Sequence, residues 1–136
     1  MKTYVLDASV IISFLLEKNP RLEKKVIKIL KEVKRGKARL YSSPLLPLEV
    51  GNGLRYSLAD EQLAAEALEK FLDLPINFFS FTSPHYSKIL KLSYLLKTSF
   101  YDTSYHFLAQ LLKGVFLTCD QEYFKKAKSL GKIELL

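Results

Sequence analysis

The chain has 136 residues, which is enough to bury one hydrophobic core and too few for two, so a single domain over residues 1–136 is expected. Its 49% hydrophobic and 26% charged residues exclude disordered and fibrous classes, and no apolar run approaches the roughly 18 residues that span a bilayer. The net charge of +7 favours polyanionic partners. A single cysteine excludes an internal disulfide. The absence of a disulfide and an N-terminus unlike a signal peptide together predict a cytoplasmic protein.

The first half of the chain predicts two strands and four helices. Residues 2–6 form a β-favouring run that ends at Asp7, and a helix over 9–16 follows a tight turn. A second helix begins at Asn19-Pro20 and ends before Gly36. A strand over 39–43, a helix over 45–58 and a helix capped by Asp60 complete this half, the last one with Leu63, Ala64, Ala67, Leu68 and Phe71 facing inward.

The second predicted helix carries most of the net charge. Between Lys18 and Arg39, ten Lys or Arg residues stand against two Glu, a balance of +8, so the rest of the chain carries −1. A basic segment on a near-neutral body is typical of a protein that handles a polyanion, although a solvated helix face explains the same residues. The segment is a candidate substrate-binding region, and the sequence identifies no individual substrate contact.

The second half continues the alternation of strands and helices. A strand is predicted over 76–81, helices over 83–97 and from residue 101, a strand over 115–118, a helix over 121–130 and an edge strand over 132–136. Strands that alternate with helices or helix pairs form a parallel sheet with helices on both faces. The sequence therefore predicts one α/β domain.

Four acidic residues lie where such a fold would form a site. Ligands bind beyond the carboxyl ends of parallel strands, and Asp7 and Asp120 each directly follow a predicted strand. Asp102 begins a largely apolar helix, and Glu49 lies in an apolar stretch with no Lys or Arg before Arg55. Taken singly, the three aspartates are better explained as N-caps, whereas Glu49 needs a partner if it is buried.

Convergence of these four carboxylates would require a compensating cation. Mutual repulsion raises the pKa of each carboxyl or makes the group bind hard divalent ions. Mg²⁺ and Mn²⁺ prefer oxygen ligands together with water and substrate phosphate. The chemistry that fits such a site is metal-assisted hydrolysis of a phosphodiester.

Four motifs in order carry a family resemblance. They are Asp7-Ala-Ser-Val-Ile-Ile, Pro47-Leu-Glu-Val-Gly-Asn-Gly-Leu-Arg55, Tyr101-Asp-Thr-Ser-Tyr-His-Phe-Leu-Ala109, and Leu117-Thr-Cys-Asp120 followed by Phe124 and Ala127. Over essentially its whole length the chain resembles PIN-domain proteins, and in size and motif order it is most similar to the VapC-type toxins of prokaryotic toxin–antitoxin pairs. The resemblance implies a three-layer α/β/α, Rossmann-like domain with a central parallel sheet, and endoribonuclease activity that requires Mg²⁺ or Mn²⁺.

Transferred position by position, the resemblance makes Asp7 and Asp102 the principal metal ligands. Glu49 would complete the site, and Asp120 would bind a second metal ion or orient water. The residues expected to support these carboxylates are Ser9 and Thr118 by hydrogen bonds and Asn52 from the same helix face as Glu49. The chain departs from the family pattern at Thr103, Ser104 and His106, and His106 is expected to be a partly exposed or a core histidine rather than a catalytic one.

Three functions remain open at this level. The first is a VapC-like toxin that cuts RNA, is neutralised by a small antitoxin protein and forms a homodimer without any membrane contact. The second is a PIN nuclease of RNA processing without an antitoxin, and the third is a PIN domain that binds RNA or protein without catalysis. Apolar residues beyond the needs of a small core favour an interface about as much as ordinary packing; they are Phe14, Leu15, Leu16, Tyr86, Leu95, Leu96 and the aromatics of 78–81.

Overall fold

The structure, a computed structural model, describes all residues 1–136. Its centre is a sheet of five parallel strands in the order β3-β2-β1-β4-β5. The strands are β1 (Lys2–Leu6), β2 (Ala38–Ser42), β3 (Ile76–Phe78), β4 (Val115–Thr118) and β5 (Ile133–Leu135). Together with seven helices the sheet forms the expected three-layer α/β/α domain.

The helices follow the predicted order along the chain. They are α1 (Ala8–Leu15), α2 (Pro20–Lys34), α3 (Leu46–Ser57), α4 (Glu61–Leu72), α5 (Ser83–Leu96), α6 (Phe100–Leu111) and α7 (Gln121–Ala127), the last of which continues into a 3₁₀ turn over Lys128–Leu130. Asn19 caps α2 and Asp60 caps α4 through side-chain oxygens that accept backbone N–H bonds, as the sequence predicts. No helix has the length and hydrophobicity that crossing a membrane requires.

Two local predictions are wrong. The third strand ends at Phe78 rather than Phe81, because β3 lies at the sheet edge and pairs only with the three residues Leu40–Ser42 of β2. Leu63 of α4 is 52% exposed instead of facing inward, since only Phe71 of that helix is fully buried.

Phe14 and Leu15, considered as interface residues, belong to the core.

The sheet order determines where a site can form. β1 pairs with both β2 and β4, so the carboxyl ends of β1 and β4 lie side by side although they are more than 100 residues apart in the chain. Helix α6 packs over these two strands, and α3 packs on α1. Gly53 lies where α3 meets α1, and a Cβ added there would lie 2.2 Å from Ile12 Cδ1, so the Ile12 side chain would have to move.

Candidate active site

Asp7 lies at the end of β1 and is buried, with 8% of its surface exposed. Its Oδ1 accepts hydrogen bonds from Ser9 Oγ at 2.5 Å and from the backbone N–H of Val10 at 3.1 Å, while Oδ2 accepts one from Thr118 Oγ1 at 2.5 Å. Burial raises the pKa of Asp7 from 3.8 to about 6, and these hydrogen bonds oppose that rise. Asp7 thus caps α1 and is also a desolvated carboxyl group whose pKa stays above its ordinary value.

The hydroxyls of Ser9 and Thr118 connect Asp7 to the end of the neighbouring strand. Ser9 Oγ accepts a bond from the N–H of Cys119 at 3.0 Å, and Thr118 Oγ1 accepts one from the N–H of Asp120 at 3.0 Å. Each hydroxyl donates to Asp7 and accepts from the chain just after β4. The two hydroxyls therefore link the Asp7 carboxyl group to the backbone of Cys119 and Asp120.

Asp120 follows β4 and caps α7, since its Oδ1 accepts a hydrogen bond from the N–H of Tyr123 at 3.0 Å. Its side chain is half-buried. The capping role that explains an aspartate after a strand therefore applies here and coexists with a place beside Asp7. A position at the carboxyl end of the sheet leaves the free carboxylate oxygen available to a ligand.

Asp102 does not cap its helix. It occupies the third position of α6, and the cap is Ser99, whose Oγ accepts the backbone N–H of Asp102 at 3.0 Å. Burial raises the pKa of Asp102, side-chain hydrogen bonding of its carboxyl to Ser99 opposes this rise, and the negative charge of Asp120 adds to it. Its carboxyl is therefore not the N-cap of α6, and it lies near enough to Asp120 for that charge to raise its pKa.

Glu49 lies in the first turn of α3 and accepts a short hydrogen bond from the hydroxyl of Tyr105 on α6. Burial and the charge of Glu49 raise the pKa of this phenol, and the charges of Asp7 and Asp102 add to the effect. The buried phenol thus stays protonated and donates to Glu49 in the midst of three carboxylates. Sequence reasoning missed Tyr105, and its only signal is its position one helical turn after Asp102.

No cation balances these acids within the protein. The single ion pair in the structure joins Lys25 and Glu134, 3.7 Å apart, away from the four carboxylates. Asp102 acts on the pKa of Asp7, and Asp120 acts on that of Asp102, in both cases upward. The carboxyl ends of β1 and β4 therefore carry an acidic site whose negative charge no ion pair compensates.

The donor set fits a hard divalent cation. All four side chains offer oxygen, and a cation would relieve both the burial of Asp7 and the repulsion among the acids. No three His, Cys, Asp or Glu side chains are close enough to form a metal-binding group by themselves. Mg²⁺ is commonly held by only one or two carboxylates with water and substrate phosphate completing its shell, so the residues present suit such an ion.

The other predicted residues are placed less closely. Asn52 is exposed, and no hydrogen bond joins it to Glu49. His106 is fully buried: Nε2 lies 2.7 Å from the carbonyl oxygen of Gly131, and Nδ1 lies 2.8 Å from the hydroxyl of Tyr123. Because a carbonyl only accepts, Nε2 carries the proton and Nδ1 accepts from Tyr123, which makes His106 the expected core histidine.

Comparison with known proteins gives both a family and a set of structures. The family model described as the PIN domain matches residues 4–130. Comparison with curated protein sequences gives no match.

Solved structures share the fold over nearly the whole chain. PAE2754 from Pyrobaculum aerophilum is similar at 22% identity and a TM-score of 0.69, covering 93% of this chain and 86% of its own. VapBC2 from Rickettsia felis, solved bound to a DNA fragment from its promoter, is similar at 13% identity and a TM-score of 0.72, with 98% of both chains covered. The Mycobacterium tuberculosis toxin VapC20, described as cleaving the sarcin–ricin loop, is similar at 14% identity and a TM-score of 0.64, with 97% and 98% covered.

Proposed function

The chain belongs to the PIN-domain family, and we propose that it is a metal-dependent endoribonuclease that hydrolyses RNA phosphodiester bonds as the toxin of a VapBC-type toxin–antitoxin pair. Membership of this family supports a nuclease. The observation that carries the proposal is the buried carboxyl of Asp7, whose neighbours Asp102, Glu49 and Asp120 add negative charge while no basic side chain compensates it. A site of this charge is suited to Mg²⁺ or Mn²⁺ and through it to phosphate.

In this proposal Asp7 and Asp102 hold the principal ion, Glu49 completes the site, and Asp120 binds a second ion or orients the attacking water. A bound Mg²⁺ or Mn²⁺ supplies an activated water and neutralises charge that develops on the leaving oxygen. Ser9 and Thr118 orient Asp7 through bonds to its two oxygens, one to each. Tyr105 orients Glu49 by donating its hydroxyl proton to that carboxylate.

Cleavage of a defined RNA panel tests the catalytic proposal. The wild-type chain is incubated with Mg²⁺, Mn²⁺ or EDTA beside Asp7→Asn and Asp102→Asn, with circular dichroism as the check on folding. We expect cleavage only with metal, and a loss of at least about a hundredfold in either variant because a charged ligand is removed. Asp60→Asn is the matched control, since Asp60 is also a capping aspartate but lies exposed at the start of α4. Wild-type rates in both site variants would contradict the metal site.

An antitoxin partner is the second part of the proposal. The structural neighbours include VapBC complexes from Rickettsia felis and Salmonella typhimurium, which supports a small protein partner. Induced expression should arrest growth, and co-expression with a short reading frame next to the gene should relieve the arrest. Active RNA cleavage without arrest would instead favour an RNA-processing nuclease.

A homodimer is the third part. Helix α5 exposes Tyr86, Leu90 and Tyr94 at spacings of four residues, and the neighbouring Leu95 is 75% exposed. Such an apolar stripe suits burial against a second copy. Light scattering should give twice the monomer mass for the wild-type chain and the monomer mass for Leu90→Glu combined with Tyr94→Glu, whereas a dimeric double variant would place the contact elsewhere.

A further inference from the structure

The outward face of α2 carries an uninterrupted row of basic side chains. Arg21, Lys24, Lys28 and Lys31 are exposed, and Arg35 continues the row at the end of the helix. Their spacing of three or four residues places all of them on one side of a helix. Because each residue advances the helix by about 1.5 Å, the row extends for about 21 Å.

This row points directly away from the core. Leu22, Val26 and Ile29 form the buried face of α2. At about 100° per residue, the middle of the basic row lies about 150° around the helix from the middle of that apolar face. The five basic side chains are therefore exposed to solvent on the side of α2 away from the core.

No acid of the protein forms an ion pair with the row, although Glu32 lies four residues after Lys28 and three before Arg35 on the same helix. The only ion pair of α2 joins Lys25 to Glu134, and Lys25 lies outside the row. Like charges three or four residues apart destabilise a helix by a few tenths of a kcal/mol per pair, and four successive pairs of this kind occur from Arg21 to Arg35. Only the last turn gains from basic residues near the helix C-terminus. Glu32 offsets part of this repulsion, and an external polyanion would offset the rest.

The composition of α2 indicates which polyanion fits. The helix contains no aromatic residue, so its exposed face offers no platform on which unpaired bases could stack. A straight row of cations suits a regular line of phosphates, as in the backbone of an RNA helix, which proteins recognise largely by shape and phosphate contacts. We propose that the outward face of α2 binds the phosphate backbone of a double-helical segment of RNA. The choice of RNA rests on the proposed function.

Binding measured without cleavage tests this assignment. Fluorescence anisotropy with a labelled RNA hairpin, in EDTA and over a series of salt concentrations, compares the wild-type chain with Lys28→Gln/Lys31→Gln. Each phosphate contact contributes about 0.9 to the slope of log affinity against log salt, so the double variant should lower that slope by about 1.8. At 0.1 M salt the same loss weakens binding by about tenfold or more.

A matched control comes from α5. Lys88 and Lys91 are also exposed lysines three residues apart on a helix, and Lys88→Gln/Lys91→Gln should keep the affinity and slope of the wild type within about twofold. Equal losses in the two double variants, or no loss in the α2 variant, would overturn the assignment. Equal α2 dependence for unstructured oligouridylate, or tighter binding to phosphatidylserine vesicles than to the hairpin, would overturn the choice of duplex RNA.

The wild-type cleavage assay separates this inference from the proposed function. Salt-dependent binding that requires Lys28 and Lys31, in a chain that cuts no RNA with Mn²⁺, would refute the nuclease and support the α2 surface. Cleavage of RNA by a chain whose hairpin affinity does not depend on Lys28 and Lys31 would support the nuclease and refute the α2 surface.

Discussion

Replacing Asp7 by asparagine should change the stability of the metal-free protein in opposite directions at low and at high pH. Because the pKa of Asp7 is raised from 3.8 to about 6, the folded state keeps a proton that the unfolded chain has released between these values. Ionisation of Asp7 therefore lowers wild-type stability as pH rises through this window. One pKa unit corresponds to about 1.4 kcal/mol, so the loss is about 3 kcal/mol, and asparagine avoids it.

The substitution also has a cost that does not depend on pH. Asparagine Oδ1 can still accept the bonds from Ser9 and Val10, which leaves the amide Nδ2 facing Thr118 Oγ1. That oxygen already accepts the N–H of Asp120, so the hydroxyl proton of Thr118 loses its acceptor, at about 1–2 kcal/mol. Asp7→Asn should therefore be about 1–2 kcal/mol less stable than wild type at pH 4 and about as much more stable at pH 8.

Thermal unfolding in EDTA at both pH values measures this reversal. For a chain of this size 1 kcal/mol corresponds to about 3 °C, so the midpoint of Asp7→Asn should lie about 3–6 °C below that of the wild type at pH 4 and about 3–6 °C above it at pH 8. Asp60→Asn gives the effect of the same replacement at an exposed N-cap. Added Mn²⁺ at a hundred times its dissociation constant should stabilise the wild type by about 2.7 kcal/mol and the variant much less. A variant that is less stable by the same amount at both pH values would refute the burial argument.

Three further substitutions test single contacts. Tyr105→Phe removes the hydrogen-bond donor to Glu49. It should weaken Mn²⁺ binding about tenfold, measured by calorimetry, and change the free energy of unfolding by only about 1 kcal/mol. An unchanged Mn²⁺ affinity would exclude an orienting role for Tyr105. Thr118→Val leaves Asp7 Oδ2 and the Asp120 amide without their partner and should cost about 2–4 kcal/mol in urea unfolding, a cost below about 0.5 kcal/mol being incompatible with the bridge. Burial lowers the pKa of His106, so the wild type loses stability as pH falls below 6.5. His106→Gln should be about 2–3 kcal/mol less stable than the wild type at pH 8, and this difference should shrink by pH 5. A difference that stays constant with pH would contradict a neutral buried histidine.

Local patterns were sufficient for most of the secondary structure. The apolar stripe of α2, its cap at Asn19 and its end before Gly36 are properties of neighbouring residues, and all three are found in the structure. The edge strand β3 is shorter than the strand-favouring residues Phe79 and Phe81 predict, because the extent of pairing with β2 decides where it ends. Leu63 was misplaced for a similar reason, since periodicity cannot tell how much of a helix face its neighbours cover.

The candidate site divides in the same way. Asp7 and Asp120 could be selected from the sequence because each follows a strand, and the four motifs added Asp102 and Glu49 by resemblance. That β1 and β4 are neighbours depends on the strand order β3-β2-β1-β4-β5, which is a long-range property. The metal roles of the four acids and the supporting roles of Ser9, Asn52 and Thr118 stay predictions, of which the experiments above address those of Asp7, Asp102 and Thr118 directly and that of Glu49 through Tyr105.

The sequence by itself determined the α/β alternation and the acids at strand ends, because these depend on local periodicity and composition. Only the tertiary structure decided the partners of each polar group: Thr118 between Asp7 and Asp120, Tyr105 on Glu49, and His106 between Tyr123 and Gly131. The physical reason is that burial and hydrogen bonding depend on residues far apart in the chain. Judged from its neighbours in the sequence, Asp7 is an ordinary helix N-cap. The fold also buries its carboxyl group, and this burial raises its pKa.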